Sequence, residues 1–422
     1  LSSDVGELRE LLGTAIASYF EDTPAATLPD DAPDYLNEVA SASSAKEAVN
    51  TLAKHMDEVY NDLGSFSVRS GDTLLDVGGS SLGVYHVKGH ERDDARGIDI
   101  YEVATLAESD GRQGTTGLTE RHPDGTTVLL KDDSLIDHGM STYREQDTIE
   151  STHLPQEFVQ KVNEVITGIH QDDMSRDEYK AATKYHELGH ADLVADLDAS
   201  TANDFLRSYE DIGLSEAYAT VKGLELAERD GAGPNVRSLL IRDLLRWTTT
   251  VNEGFKCPYA KAGFHVLNRL DKAYGIDNIP DHIDDIARDA GTLAKELGGL
   301  ARQRMDGSLS WKELERTYER DENELTGQNR YVLDDDLAER DPKAMLTYIT
   351  ENAPERLPNT LYQPITPHSL QQALHTFQHN VTFNVFYMEG EEVQKATAVD
   401  AGTFDAYFMR DSEGQLYYMP IG

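Results

Sequence analysis

Residues 175–194 read SRDEYKAATKYHELGHADLV, and the rest of the chain is best read outward from them. Ser175 followed three residues later by Glu178 is a capping box, in which a hydroxyl and a carboxylate satisfy the backbone N–H groups that open a helix. Tyr179, Ala182, His186, His190 and Leu193 then recur on one side, so an amphipathic helix is expected over about 176–196. His186-Glu187-Leu188-Gly189-His190 is an H-E-x-x-H sequence. On a helix this spacing puts both imidazoles on one face, a turn apart, where together they can grip one ion.

Zinc accepts neutral imidazole readily, and a catalytic zinc takes three protein ligands and keeps one position open. A glutamate beside the first ligand is placed to take the proton of the water that such an ion activates and to pass it to a leaving amine. His186 and His190 are therefore candidate ligands and Glu187 the candidate general base. The plain alternative is a pair of core histidines satisfied by neighbours.

Two carboxylates compete to be the third ligand. Glu216, 26 residues after His190, stands near the start of the helix in Leu214-Ser215-Glu216-Ala217-Tyr218-Ala219 and can offer one oxygen from a second helix packed beside the first. Its plain reading is an acidic first-turn residue favoured by the helix dipole. Asp196, six residues past His190, has a spacing used by another zinc peptidase class, but that class needs glycine at position 193 and Leu193 is there.

His186 to His190 followed by Ser215 to Ala219 resembles the gluzincin group of zinc metallopeptidases, in which the third ligand is a glutamate on the next helix. The likeness covers roughly residues 70–275. It implies a zincin-like fold, one zinc per chain on His186, His190 and Glu216, and a cleft under an edge strand against which substrate lies extended. Thr126 to Lys131 is the nearest upstream strand for that edge. Many gluzincins carry an aspartate four residues after the glutamate to orient the first histidine. Thr220 stands here, so a different group is expected to orient His186. The segment Pro258 to His265 resembles a helix flanking the site in several of these families, and Tyr259 or His265 would then donate to the oxyanion formed when water attacks the peptide carbonyl. Their plain readings are a core tyrosine and a surface histidine.

Around this motif the hydrophobic period changes twice. Residues 1–65 read as helical, with Leu8, Leu11, Leu12, Ile16 and Tyr19 on one face. From Asp72 the period is two: Thr73–Val77, Gly83–Gly89, Gly97–Thr105 and Thr126–Lys131 read as a small, mainly antiparallel sheet. Gly78-Gly79-Ser80-Ser81-Leu82-Gly83 has no lysine and no following helix, so a β-turn is expected rather than a phosphate loop. Helical spacing returns at Phe158, and further helices are expected over 176–196, 215–229, 235–247 and 259–274, then 311–318, 342–351 and 369–380. The last 40 or so residues alternate in strand fashion, as in Asn384–Met388 and Ala406–Met409. A sheet followed by a helical half is an α+β order. It divides the chain into a helical segment 1–70, a metallopeptidase-like domain 71–305 and an α/β extension 306–422.

Composition excludes several functions. The chain carries 38 Lys and Arg against 77 Asp and Glu, a net charge of -39, which opposes nucleic acid or an anionic membrane as partner. Acid spread along the whole length resembles proteins from salt-filled cytosols, where counterions screen self-repulsion. Cys257 is the only cysteine, so no intrachain disulfide or thiolate metal cluster can form. No run of about 18 apolar residues suggests a membrane span. The chain starts at Leu1 rather than Met; a cytoplasmic location is expected, with secretion after removal of a leader as the alternative. His375 and His379 are four apart but carry Thr376 between them, and the aspartates at 132–133 and 334–336 do not match a calcium loop; a plain surface is expected for all of these.

The expectation is an α+β zinc metallopeptidase acting on a peptide or protein, with oligomeric state open. A binding module with a structural zinc and a zinc amidase acting on a non-peptide substrate are the alternatives.

Overall fold

Apolar residues at helical spacing build four short N-terminal helices, α1 (Val5–Ala17), α2 (Asp34–Ala40), α3 (Ala45–Lys54) and α4 (Met56–Leu63). The Ser44 side chain caps α3 by accepting from the Glu47 N–H. These helices bury Leu8, Leu12, Ile16, Leu52 and Val59 against Phe66, Leu75, Val77, Leu82 and Val84 of the strands that follow, so segment 1–70 shares its core with the sheet. The computed structural model describes residues 5–131 and 156–327 apart from 22, 80, 110–111, 113–114, 170–173, 209, 248–250, 253–254 and 257, together with strands between 363 and 421.

Six strands follow: β1 (Phe66–Ser70), β2 (Thr73–Gly78), β3 (Ser81–Asp93), β4 (Ile98–Glu108), β5 (Gly117–His122) and β6 (Gly125–Lys131). They form one sheet in the order β1-β2-β3-β4-β6-β5. Neighbours are antiparallel except β4 and β6, which run parallel, so the sheet is mixed. Gly78 pairs with Ser81 across the expected turn, where Gly79 takes φ 58°.

The sheet curls until its two ends meet. Asp76 on β2 lies 3.0 Å from His122 on β5, and Thr127 on β6 donates to Ser67 on β1 at 2.9 Å. The concave face holds Leu74, Tyr85, Val103 and Leu129 beside a buried ionic network. There Arg112, from the loop before β5, pairs with Asp76 at 2.5 Å and Glu120 at 3.3 Å, and Lys131 pairs with Glu108 at 2.5 Å. Burial works against the charge of Asp76, but Arg112 outweighs it and holds the carboxyl well below its usual range.

The edge strand is not the expected one. Thr126–Lys131 is interior, flanked by β4 and β5, and β5 forms the edge. Gly117-Leu118-Thr119-Glu120-Arg121-His122 hides its strand character because its concave side is polar, feeding Glu120 and His122 into the ionic network.

The other face of the sheet, with Ile98, Ile100, Val128 and Leu130, packs on Leu188, Ala191 and Leu226 of the helical half. That half comprises α5 (Gln156–Gly168), α6 (Arg176–Val194), α7 (Ala199–Arg207), α8 (Ile212–Arg229), α9 (Pro234–Trp247), the hairpin β7 (Val251–Asn252) and β8 (Phe255–Lys256), α10 (Pro258–Tyr274), a 3-10 turn (Ile276–His282), α11 (Ile283–Met305) and α12 (Trp311–Thr326). Helices α7 and α11 were not anticipated. The buried stripe of α11 is largely alanine, at Ala287, Ala290, Ala294 and Ala301, which gives a weak periodic signal. Leu314 and Tyr318 of α12 join the core that holds Phe264, so packing continues past residue 305.

Near the carboxyl end, β9 (Gln363–Pro364), β10 (Thr382–Glu389), β11 (Glu392–Val399), β12 (Thr403–Arg410) and β13 (Leu416–Ile421) form a sheet in the order β11-β10-β12-β13-β9. The helices expected over 342–351 and 369–380, the acidic runs at 132–133 and 334–336, and His375 and His379 lie outside the described residues. Among the described residues no helix is long and apolar enough to cross a membrane.

Candidate metal centre

The expected capping box opens α6: Ser175 accepts from the Glu178 N–H, and the Glu178 carboxylate accepts from the Ser175 N–H at 2.8 Å. The helix then buries Glu187, Leu188, Gly189, His190 and Ala191. It meets α8 at backbone range, and two glycines allow it. A methyl group on Gly189 would overlap the carbonyl oxygen of Ala219, and one on Gly223 would come within 2.7 Å of the Tyr185 oxygen. This close approach lets the short side chain of Glu216 reach both imidazoles of α6.

His186 Nε2 and His190 Nε2 lie 3.2 Å apart, and Glu216 places Oε2 3.1 Å from the first and Oε1 3.5 Å from the second. All three residues offer ligand atoms within 4.8 Å of one another, so the group could hold a metal ion. Bond lengths of 2.0–2.1 Å in a tetrahedron put neighbouring donors about 3.3 Å apart, which the two imidazole nitrogens match, while Glu216 turns one oxygen to each ring. Two imidazole nitrogens and a carboxylate oxygen are a donor set that fits zinc.

Hydroxyls on α8 set both rings. His186 Nδ1 lies 2.8 Å from Thr220 Oγ1 and His190 Nδ1 lies 3.0 Å from Ser215 Oγ. A ring that donates Nδ1–H to a hydroxyl keeps the lone pair of Nε2 free for a metal. The sequence reading looked elsewhere for the group that orients His186. Thr220, one turn beyond Glu216 on the same helix side, supplies it.

Metal-free, the site stores charge. Burial opposes a charged His186, but the hydrogen bond and charge of Glu216 outweigh it and push the imidazole up to about 9. Burial likewise opposes a charged Glu216, and the two histidines outweigh it, holding the carboxyl well below its usual range.

Glu187 is buried, at 7% exposure, and faces the edge strand. Thr119 Oγ1 lies 2.7 Å from Glu187 Oε2 and 3.0 Å from the Glu187 carbonyl oxygen, so its hydroxyl is shared between them. A Cβ at Gly117 would come within 2.5 Å of Glu187 Oε1, so glycine there makes room for the carboxylate. Gly117 and Thr119 escaped the sequence reading because their strand did.

The remaining candidates lie elsewhere. Asp196 is exposed, past the end of α6 and outside the ligand group. His265, expected at the surface or over the oxyanion, is 1% exposed, with Nδ1 2.5 Å from Asp321 and Nε2 3.4 Å from Glu296. Burial opposes its charge, and these carboxylates outweigh it and raise its pKa. It is not part of the ligand group. Tyr259 falls in the first turn of α10, and its side chain lies outside the described residues. Compared with known proteins, the chain matches no family model, no curated protein and no solved structure.

Proposed function

We propose that this chain is a zinc metallopeptidase of the gluzincin kind, hydrolysing peptide bonds with one zinc on His186, His190 and Glu216. The observation that carries the proposal is the convergence of two imidazole nitrogens and a carboxylate, with ligand atoms within 4.8 Å of one another, beside a buried glutamate that takes no part in the ligand group. A structural zinc asks for four protein ligands, whereas this group offers three among the described residues, which favours a catalytic reading over a binding module.

Bound zinc would supply Lewis acidity, polarising a carbonyl and lowering the pKa of a water. The chain's own residues do the rest. Ser215 and Thr220 fix the imidazole tautomers, and Glu187 accepts a proton and returns it to the leaving amine. Thr119 holds the Glu187 carboxylate against the edge strand. That strand is also the support for the peptide reading over a non-peptide amide, since an extended segment can pair with it beside the reacting groups.

The test is metal content by mass spectrometry on protein purified in high salt, wild type against Glu216→Ala, with cleavage of a mixed peptide library followed in parallel. About one zinc per chain, lost together with cleavage in the variant, supports the reading. A wild type that binds no metal, or cleavage that survives without Glu216, overturns it.

A further inference from the structure

The open side of the edge strand β5 is closed at one residue, and a side chain closes it. Arg121 N–H donates to Asn203 Oδ1 at 3.1 Å, and Asn203 Nδ2 donates to the Arg121 carbonyl at 2.8 Å. Asn203 comes from α7 and is buried, at 8% exposure. Its amide thus makes both backbone bonds that a neighbouring strand would make. Ser65 Oγ adds a longer contact to the same carbonyl at 3.4 Å.

Strand geometry then fixes which groups remain. In an antiparallel pair, alternate residues turn N–H and C=O toward the partner. The Lys131 N–H donates to the Thr116 carbonyl at 2.9 Å, so Thr116, Leu118 and Glu120 face β6, and Gly117, Thr119 and Arg121 face the open side. Of these three, Arg121 is taken by Asn203. Gly117 and Thr119 are buried beside Glu187, and their outward backbone groups have no hydrogen-bond partner among the described residues. Buried backbone donors and acceptors call for partners, and a row of them along a sheet edge is a template for one more strand.

We infer that Asn203 is a specificity-determining residue: it closes the edge strand after Thr119, so that an extended peptide pairs only with Gly117 and Thr119. This rests on the peptidase reading. The substrate class is an extended peptide that places two alternate residues against β5 and ends, or turns away, where the next pair would reach Arg121.

The experiment separates the two claims by reading binding and cleavage apart. Zinc-loaded Glu187→Gln protein is titrated calorimetrically with peptides lengthened one residue at a time, independently at each end. Affinity is expected to stop rising at one end once both residues are paired. In the Glu187→Gln/Asn203→Ala double variant it should rise again over the next two residues, by about three- to tenfold for the recovered backbone bonds. Asn203→Asp on the same background, nearly the same shape with the donor lost, should recover part of that gain. A length profile identical in parent and both variants overturns the inference, as does the absence of any peptide binding. Wild type cleaves the same peptides if the peptidase reading holds. Binding with the predicted cut-off but no cleavage sinks that reading and leaves the role of Asn203 standing; cleavage with an unmoved cut-off does the reverse.

Discussion

The Nδ1 nitrogen of His186 lies 2.8 Å from the hydroxyl of Thr220, the residue standing where the resemblance leads one to expect a carboxylate. A neutral acceptor fixes the ring as well as an aspartate does but adds no negative charge to the ligand, so the imidazole stays less basic. Thr220→Val is expected to weaken zinc binding by about 10- to 100-fold, measured by competition with a chromogenic chelator. Thr220→Ser should keep affinity close to wild type. Equal affinity in Thr220→Val and wild type would show that the contact does not orient the ring.

Glu187 should be needed for turnover but not for metal. Glu187→Gln is expected to lower kcat by about 10²- to 10⁴-fold while zinc content stays at about one per chain. Thr119→Val, which removes the hydroxyl from Glu187, should lower kcat more than it changes KM, with Thr119→Ser restoring it. If Thr119→Val raises KM alone, Thr119 serves substrate binding rather than the carboxylate.

Gly189 and Gly299 make a matched pair for stability. A methyl group at Gly189 meets the Ala219 carbonyl, whereas one at Gly299 in α11 meets open space. Gly189→Ala should cost about 1–3 kcal/mol by overpacking and lower zinc affinity by parting α6 from α8. Gly299→Ala should stabilise by about 0.4–1 kcal/mol, because alanine favours the helix and restricts the unfolded chain. Urea unfolding of both variants reads the two signs, and destabilisation of similar size in both would contradict the close packing of α6 on α8.

Protons should compete with the metal. In the metal-free protein His186 is held up at about 9, so near neutral pH zinc must displace a proton from it. Calorimetry in buffers of different ionisation enthalpy should show release of about one proton at pH 7, falling toward zero above pH 9. For metal-free stability the signs are opposite for the two partners. A raised His186 contributes fully below its ordinary value of about 6.5, and this is lost as pH rises through about 9. A lowered Glu216 contributes above its ordinary value of about 4.5, and this is lost as pH falls through its folded value. Metal-free protein should therefore be more stable at pH 7 than at pH 10, beyond what a His186→Ala variant shows.

Salt should stabilise the fold. A net charge of -39 on 422 residues repels itself, and screening weakens that repulsion. The unfolding temperature is expected to rise steadily as KCl goes from low concentration to the molar range. A temperature independent of salt would remove the expectation of a saline working environment.

The features legible in the chain alone are local. Ser175 and Glu178 announced the start of α6, and four-residue spacing put His186 and His190 on one face, whereas Glu216 and Asp196 both stayed open as third ligand. Helical period, capping and ligand spacing depend on neighbours a turn away, so they can be read without a fold. Tertiary structure decided everything that joins distant segments. Which strand forms the edge depends on pairing across the curled sheet, and β5 was hidden because Glu120 and His122 make its buried side polar. That Thr220 and Ser215 face the imidazoles depends on how closely α6 lies on α8, which Gly189 and Gly223 permit but do not announce. His265 was misplaced for the same reason: its partners Asp321 and Glu296 come from other helices, and only packing brings the carboxylates that let a charged imidazole sit in the interior.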